Sequence, residues 1–172
     1  MVWLDGLDNG IVNLFDASFF EPATGGEPAT SDGPEAATLL HPYTKMRDCL
    51  AEMQRTLKVD PAHGFALPYT NRRTGDHALS TIAAFLQLLP AGFTSEPCRS
   101  TDSVIFVIIE GTGLSVIGDK EFRWKPKDIF VAPSWTPRQH RTEGGAILFS
   151  FSDRAAQEKL SLWREKRDRQ PA

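Results

Sequence analysis

Six apolar runs of strand length crowd the interval from residue 80 to residue 152, with tight turns between them. They are STIAAFLQLL (80–89), SVIFVIIE (103–110), GLSVIG (113–118), EFRWK (121–125), DIFVAP (128–133) and AILFSFS (146–152). Pro90-Ala91-Gly92 and Gly118-Asp119-Lys120 supply turn residues. Short strands at this spacing, broken by Gly, Asp and Pro, predict an all-β sandwich or barrel. The 172 residues suffice for one such domain with a real core and are short for two. The run Val104 to Ile109 reads as a buried strand closed by Glu110-Gly111.

The flanks read differently. Segment 1–22 carries Trp3, Leu4, Leu7, Ile11, Val12, Leu14, Phe15, Phe19 and Phe20, too much apolar surface to leave in water. It is expected to be an arm docked on its own barrel or on a second copy, which makes the chain a homo-oligomer. Segment 23–38 is Gly, Pro, Ser and Thr with almost no apolar content and reads as a loop or linker. Segment 39–79 predicts a helix from Pro42, with Met46, Cys49, Leu50, Met53 and Leu57 at helical spacing, then an irregular lead-in. The barrel is expected over 80–153. Segment 154–172 reads as a closing helix capped by Ser152, with Ala156, Leu160 and Trp163 on one face and a solvated charged end from Arg164 to Arg169.

Several function classes fall away. Net charge is −3, so no basic face is offered to nucleic acid or anionic lipid. No apolar run reaches the length of a membrane span, and without a charged n-region followed by an apolar h-region no secretory signal is expected. Cys49 and Cys98 read as free thiols of a reducing, cytoplasmic protein, with a disulfide between them the minor reading. There is no P-loop, no GxGxxG, no CxxC and no Gly-x-Ser-x-Gly.

Two stretches resemble the cupin motifs. The first motif runs Gly, five residues, His-x-His, three or four residues, Glu, six residues, Gly. Gly92 and Gly111 stand at that spacing, while Cys98, Ser100 and Val104 occupy the three ligand places. The second runs Gly, five residues, Pro-x-Gly, two residues, His. Here Lys127, Pro133, Trp135 and Arg138 stand in those places. More of the chain is similar to gentisate 1,2-dioxygenase: WLDGLD (3–8), FLQLLPAGF (85–93), RSTDSVIFVIIEGTGLSVIGD (99–119), DIFVAPSW (128–135) and LFSFSD (148–153). That family builds bicupins, in which a first cupin holds Fe(II) on three His and opens the ring of 2,5-dihydroxybenzoate with O₂.

The resemblance implies a single cupin, a double-stranded β-helix or jelly-roll barrel, with an N-terminal arm, one N-terminal helix and a C-terminal helix. It corresponds to the second half of the bicupin plus the crossing segment. With its ligand places lost, this half implies no bound metal and no catalytic residue of its own. Its expected work is structural, supporting a catalytic cupin chain or building an oligomer. Two alternatives stand beside it: an independent binder of a small aromatic carboxylate, and an iron-dependent ring-cleaving dioxygenase with ligands from elsewhere. The chemistry agrees with the loss of iron, because Arg138 is a permanent cation, Val104 has no donor atom and Ser100 is a poor Fe(II) ligand.

Candidate binding residues are weighed singly. Asp5 either approaches the pocket of the neighbouring cupin, as the resemblance implies, or caps a turn with Gly6. Arg99, Arg138 and Arg141 either form an anion-binding mouth or pair with Asp102, Asp128 or Glu143. His140 either hydrogen-bonds in the barrel mouth or is partly exposed, the simpler reading. His41, His63 and His77 read as surface residues. Cys98 is either a thiol activated by Arg99 and Arg138 or a buried inert one. Trp135 is expected to plug the barrel end.

Overall fold

A computed structural model of the chain describes residues 6, 8–15, 17 and 40–168. Asp5, most of the arm at 1–22 and the loop at 23–38 lie outside the described residues.

In chain order the elements are α1 (Asn9–Leu14), α2 (Tyr43–Thr56), β1 (Phe65–Pro68), β2 (Ala83–Leu89), β3 (Cys98–Ser100) and β4 (Val104–Gly111). Then come β5 (Gly113–Ile117), β6 (Lys120–Trp124), β7 (Ile129–Ala132), β8 (Arg138–Arg141), β9 (Ala146–Ser152), α3 (Arg154–Lys159) and β10 (Glu165–Arg167). They form two five-stranded sheets, β1-β2-β9-β4-β7 and β10-β3-β8-β5-β6. Every pairing is antiparallel. The expected all-β barrel is what forms.

Strand alternation divides the apolar side chains between two clusters. Val104, Phe106 and Ile108 of β4 point inward with Leu89, Ile117, Trp124, Ala132 and Leu148. Phe130 stacks on Phe106 at 5.1 Å between ring centres and is partly buried against this cluster. On the other face of the first sheet, Leu86 and Ile147 meet Met46 and Leu50 of α2, with Phe149 packed beside them. The Val104 to Ile109 run is therefore not buried on both faces. Its odd-numbered members turn outward, and Ile109 is exposed.

Helix α2 begins where the sequence places it. Pro42 sits extended before the first turn, and its carbonyl accepts the amide of Met46 at 3.2 Å. Only part of the expected apolar stripe is used, since Cys49 and Leu57 are exposed. Arg47 and Tyr43 on the same helix hold Glu110 of β4, through bonds of 3.0 and 2.5 Å.

Four strands escaped the sequence reading: β1, β3, β8 and β10. Each has three or four residues, too few to show a period. The last of them corrects the expected C-terminal helix. Helix α3 stops at Lys159, and Ser161 adopts φ 58°, which turns the chain away. Residues 165–167 then pair with β3 in the register Glu165↔Ser100 and Arg167↔Cys98. Within the charged segment expected to be a solvated helix end, residues 165–167 thus form an edge strand. Of the face expected for that helix, Leu160 is exposed, and the buried residue is Ala155.

Candidate functional site

Three of the places that the resemblance assigns to cupin ligands converge. Ser100, Val104 and Arg138 line one cavity inside the barrel, of about 80 Å³, together with His63, Gln87, Phe106, His140 and Glu165. Cys98 lies directly across the β3–β8 pair from Arg138 and is 2% exposed. β-alternation explains the grouping: Cys98 and Ser100 face inward on β3, Arg138 and His140 face inward on β8, and Arg99 between them faces out.

The chemistry at the centre is that of a cation, not of a cation's ligands. Arg138 is 6% exposed and donates to Ser100 Oγ at 2.9 Å. A guanidinium, a hydroxyl already engaged by it, an isopropyl group and a thiol supply no set of lone pairs for Fe(II). The residues present do not fit the iron that the resembled family carries. Among the described residues, no group of three or more His, Cys, Asp or Glu side chains is arranged to hold a metal ion.

The turns of the second motif keep their backbone shape although both glycines are gone. Lys127 has φ 77° and Trp135 has φ 56°, in the left-handed region that favours glycine. Trp135 does not plug the barrel end. It is 44% exposed, with the guanidinium of Arg99 5.3 Å from its ring centre. Arg99 faces away from the cavity and reaches Asp168 at 3.9 Å. Neither Arg99 nor Arg138 pairs with Asp102, Asp128 or Glu143. Asp102 instead accepts the indole N–H of Trp163 at 3.0 Å, and Asp128 accepts the amide of Lys125. Arg99 and Arg138 are therefore not brought together as one mouth.

His140 is buried, against the partly exposed reading. Trp124 Nε1 donates to Ser115 Oγ at 2.8 Å, and Ser115 Oγ lies 2.7 Å from His140 Nδ1. Burial, with Arg138's charge and then His63 adding to it, pushes the imidazole pKa down to about 3. This ring stays neutral. Burial pushes the Cys98 thiol up, and the opposing pull of Arg138 is smaller, so Arg138 does not activate this cysteine. Both cysteines are free.

His63 is not a surface residue either. Its Nε2 lies 2.8 Å from Glu165 Oε2, and Arg167 Nε donates to Glu165 Oε1 at 2.8 Å. Arg167 also reaches Asp60 at 2.9 Å, which ties β10 to the turn before β1. His77 meets Glu158 at 2.8 Å, and His41 stacks edge-on against Tyr69 with its Nε2 buried and unpartnered. No sequence spacing links His63 to Glu165, so only the fold reveals this pair.

Burial raises the pKa of Glu165, but the hydrogen bonds and charges of His63 and Arg167 outweigh it and hold the carboxyl near 2. A depressed carboxyl stabilises the fold above its unfolded value near 4.5, and that stabilisation disappears as pH falls toward 2. Urea unfolding at pH 6 and pH 3 should show a loss on the order of 2 kcal/mol from this group. The variant Glu165→Gln should lack that part of the pH dependence. A variant with the same acid sensitivity as the parent would show that the network contributes nothing.

No protein-family model matches the chain. Individual relatives do. Gentisate 1,2 dioxygenase 1 of Aquipseudomonas alcaligenes is 40% identical over 98% of this chain and 54% of its own length. A 5-aminosalicylate 1,2-dioxygenase of Comamonas sp is 32% identical over 96% of this chain and 50% of its own length. A salicylate 1,2-dioxygenase of Pseudoaminobacter salicylatoxidans superposes with TM-score 0.77 at 25% identity, covering 95% of this chain and 54% of that one. The chain spans about half the length of the curated relatives it matches. Among the described residues no helix is long and apolar enough to cross a membrane.

Proposed function

We propose that this chain, a homologue of gentisate 1,2-dioxygenases with the cupin fold, serves as a non-catalytic cupin that supports a catalytic one. It corresponds to the second half of such a protein and works without a metal of its own. The observation that carries this reading is Arg138. Its cation occupies the cavity where the motif spacing puts a metal ligand, and it is hydrogen-bonded to a second ligand place, Ser100.

The outer surface supports the supporting role. On β7, Ile129 and Val131 are 55% and 49% exposed. Ile105 pairs with Val131 and Val107 with Ile129, so four branched aliphatic side chains share one face, and Ile109 adjoins them. α2 packs on other residues of the same sheet, and among the described residues Ile129 and Val131 stay exposed. An apolar patch on an edge strand is the kind of surface that another protein chain buries. We assign it to contact with a catalytic cupin or a second copy.

The reading as a binder of an aromatic acid has less support. About 80 Å³ is small beside the roughly 150 Å³ of a cavity that holds benzene.

Light scattering tests the assignment. The parent chain should assemble, or gain mass when mixed with a polypeptide corresponding to the other half of its relatives. Ile129→Lys with Val131→Lys should abolish that gain with little change in melting temperature, because both sites are exposed. A parent chain that stays monomeric in both conditions would overturn the reading.

A further inference from the structure

The barrel cavity gathers hydrogen-bond donors around a buried positive charge. Arg138 makes one side-chain hydrogen bond, to Ser100, and among the described residues no carboxylate lies within ion-pair distance of it. Ser100 accepts from Arg138 and keeps its own O–H to give. At His140, the serine that receives the Trp124 indole proton has its hydroxyl proton free to turn toward Nδ1. Nδ1 is then the acceptor, and the ring carries its proton on Nε2. The acids on the cavity wall already have partners: Asp102 accepts from Trp163, and Glu165 pairs with His63 and Arg167. The second wall cation, Arg154, is held by Glu158 and lies over the Trp163 ring.

We propose that the interior binds a small planar oxyanion, of formate or bicarbonate size, between Arg138, Ser100 and His140. A guanidinium out of water is costly without a counter-charge, and its planar fork matches a carboxylate-like anion in two parallel hydrogen bonds. The cavity of about 80 Å³ sets the size limit and excludes a substituted benzene ring. This site goes beyond the supporting role, and it stands or falls without any assembly partner.

The test uses the full chain, with sodium formate as probe and sodium gluconate at equal ionic strength as an anion too large for the cavity. The ¹³C-formate resonance should broaden in the presence of the protein. Melting temperature should rise by about 5 °C when formate reaches a hundredfold its dissociation constant, and gluconate should give no such rise. In Arg138→Met both effects should vanish. Equal rises with formate and gluconate, unchanged effects in Arg138→Met, or no broadening by the parent chain would each overturn the proposal. If Arg138→Met does not fold, the formate-against-gluconate comparison on the parent chain still decides.

Discussion

Gentisate mixed with this chain, Fe(II) and air should give no ring-opened product beyond a protein-free control. Cleavage of this kind needs a metal with adjacent open positions for the substrate's oxygens and for O₂. The protein must first hold that metal, and the places that the cupin resemblance assigns to its ligands are Cys98, Ser100, Val104 and Arg138. Arg138 sits 2.9 Å from Ser100 inside the same cavity, a fixed positive charge where a cation would have to enter. Elemental analysis after dialysis should accordingly find far less than one transition metal per chain. Absorbance of the ring-opened product measures the reaction. Turnover that scales with the chain's concentration and survives removal of host enzyme would replace the supporting role with an enzymatic one.

Replacing Gly111 by alanine should cost about 3–5 kcal/mol, a large stability effect for a single methyl group. Two penalties combine. Gly111 has φ 83°, which strains any residue with a Cβ. A Cβ there would also stand 2.2 Å from the carbonyl oxygen of Gly145 and 2.8 Å from the backbone of Ala146. Both neighbours are backbone, so no side-chain rotation relieves the contact. The position lies where β4 pairs with β9 beyond a register shift between Ile108 and Glu110, so a displaced Gly111 disturbs the pairing of two central strands of the sheet. Urea unfolding checks it, with Gly92→Ala as comparison. Gly92 has φ 72° but nothing within 4 Å of its Cβ position, so only the conformational penalty of roughly 1–3 kcal/mol remains. Equal losses at the two glycines would show that the close approach at Gly111 does not matter.

The sequence by itself determined the barrel. Six apolar runs of alternating side chains, with turn residues between them, leave antiparallel sheets as the way to bury one face of each. The motif resemblance pointed to Cys98, Ser100, Val104 and Arg138 as one set of places, because motif spacing is a property of order along the chain. α2 was legible for the same reason: Met46, Leu50 and Met53 repeat at the helical period. Only the tertiary structure decided what those residues do. That Arg138 lies against Ser100 and not against a carboxylate depends on the register of β3 beside β8, which no local pattern encodes. The burial of His140 and the pairing of His63 with Glu165 across 102 positions likewise depend on strands of three or four residues, too short to announce themselves. The C-terminal segment shows the limit most plainly. Its alternating charges satisfy a helical period and an edge strand equally, and the hydrogen bonds offered by β3 settle the choice.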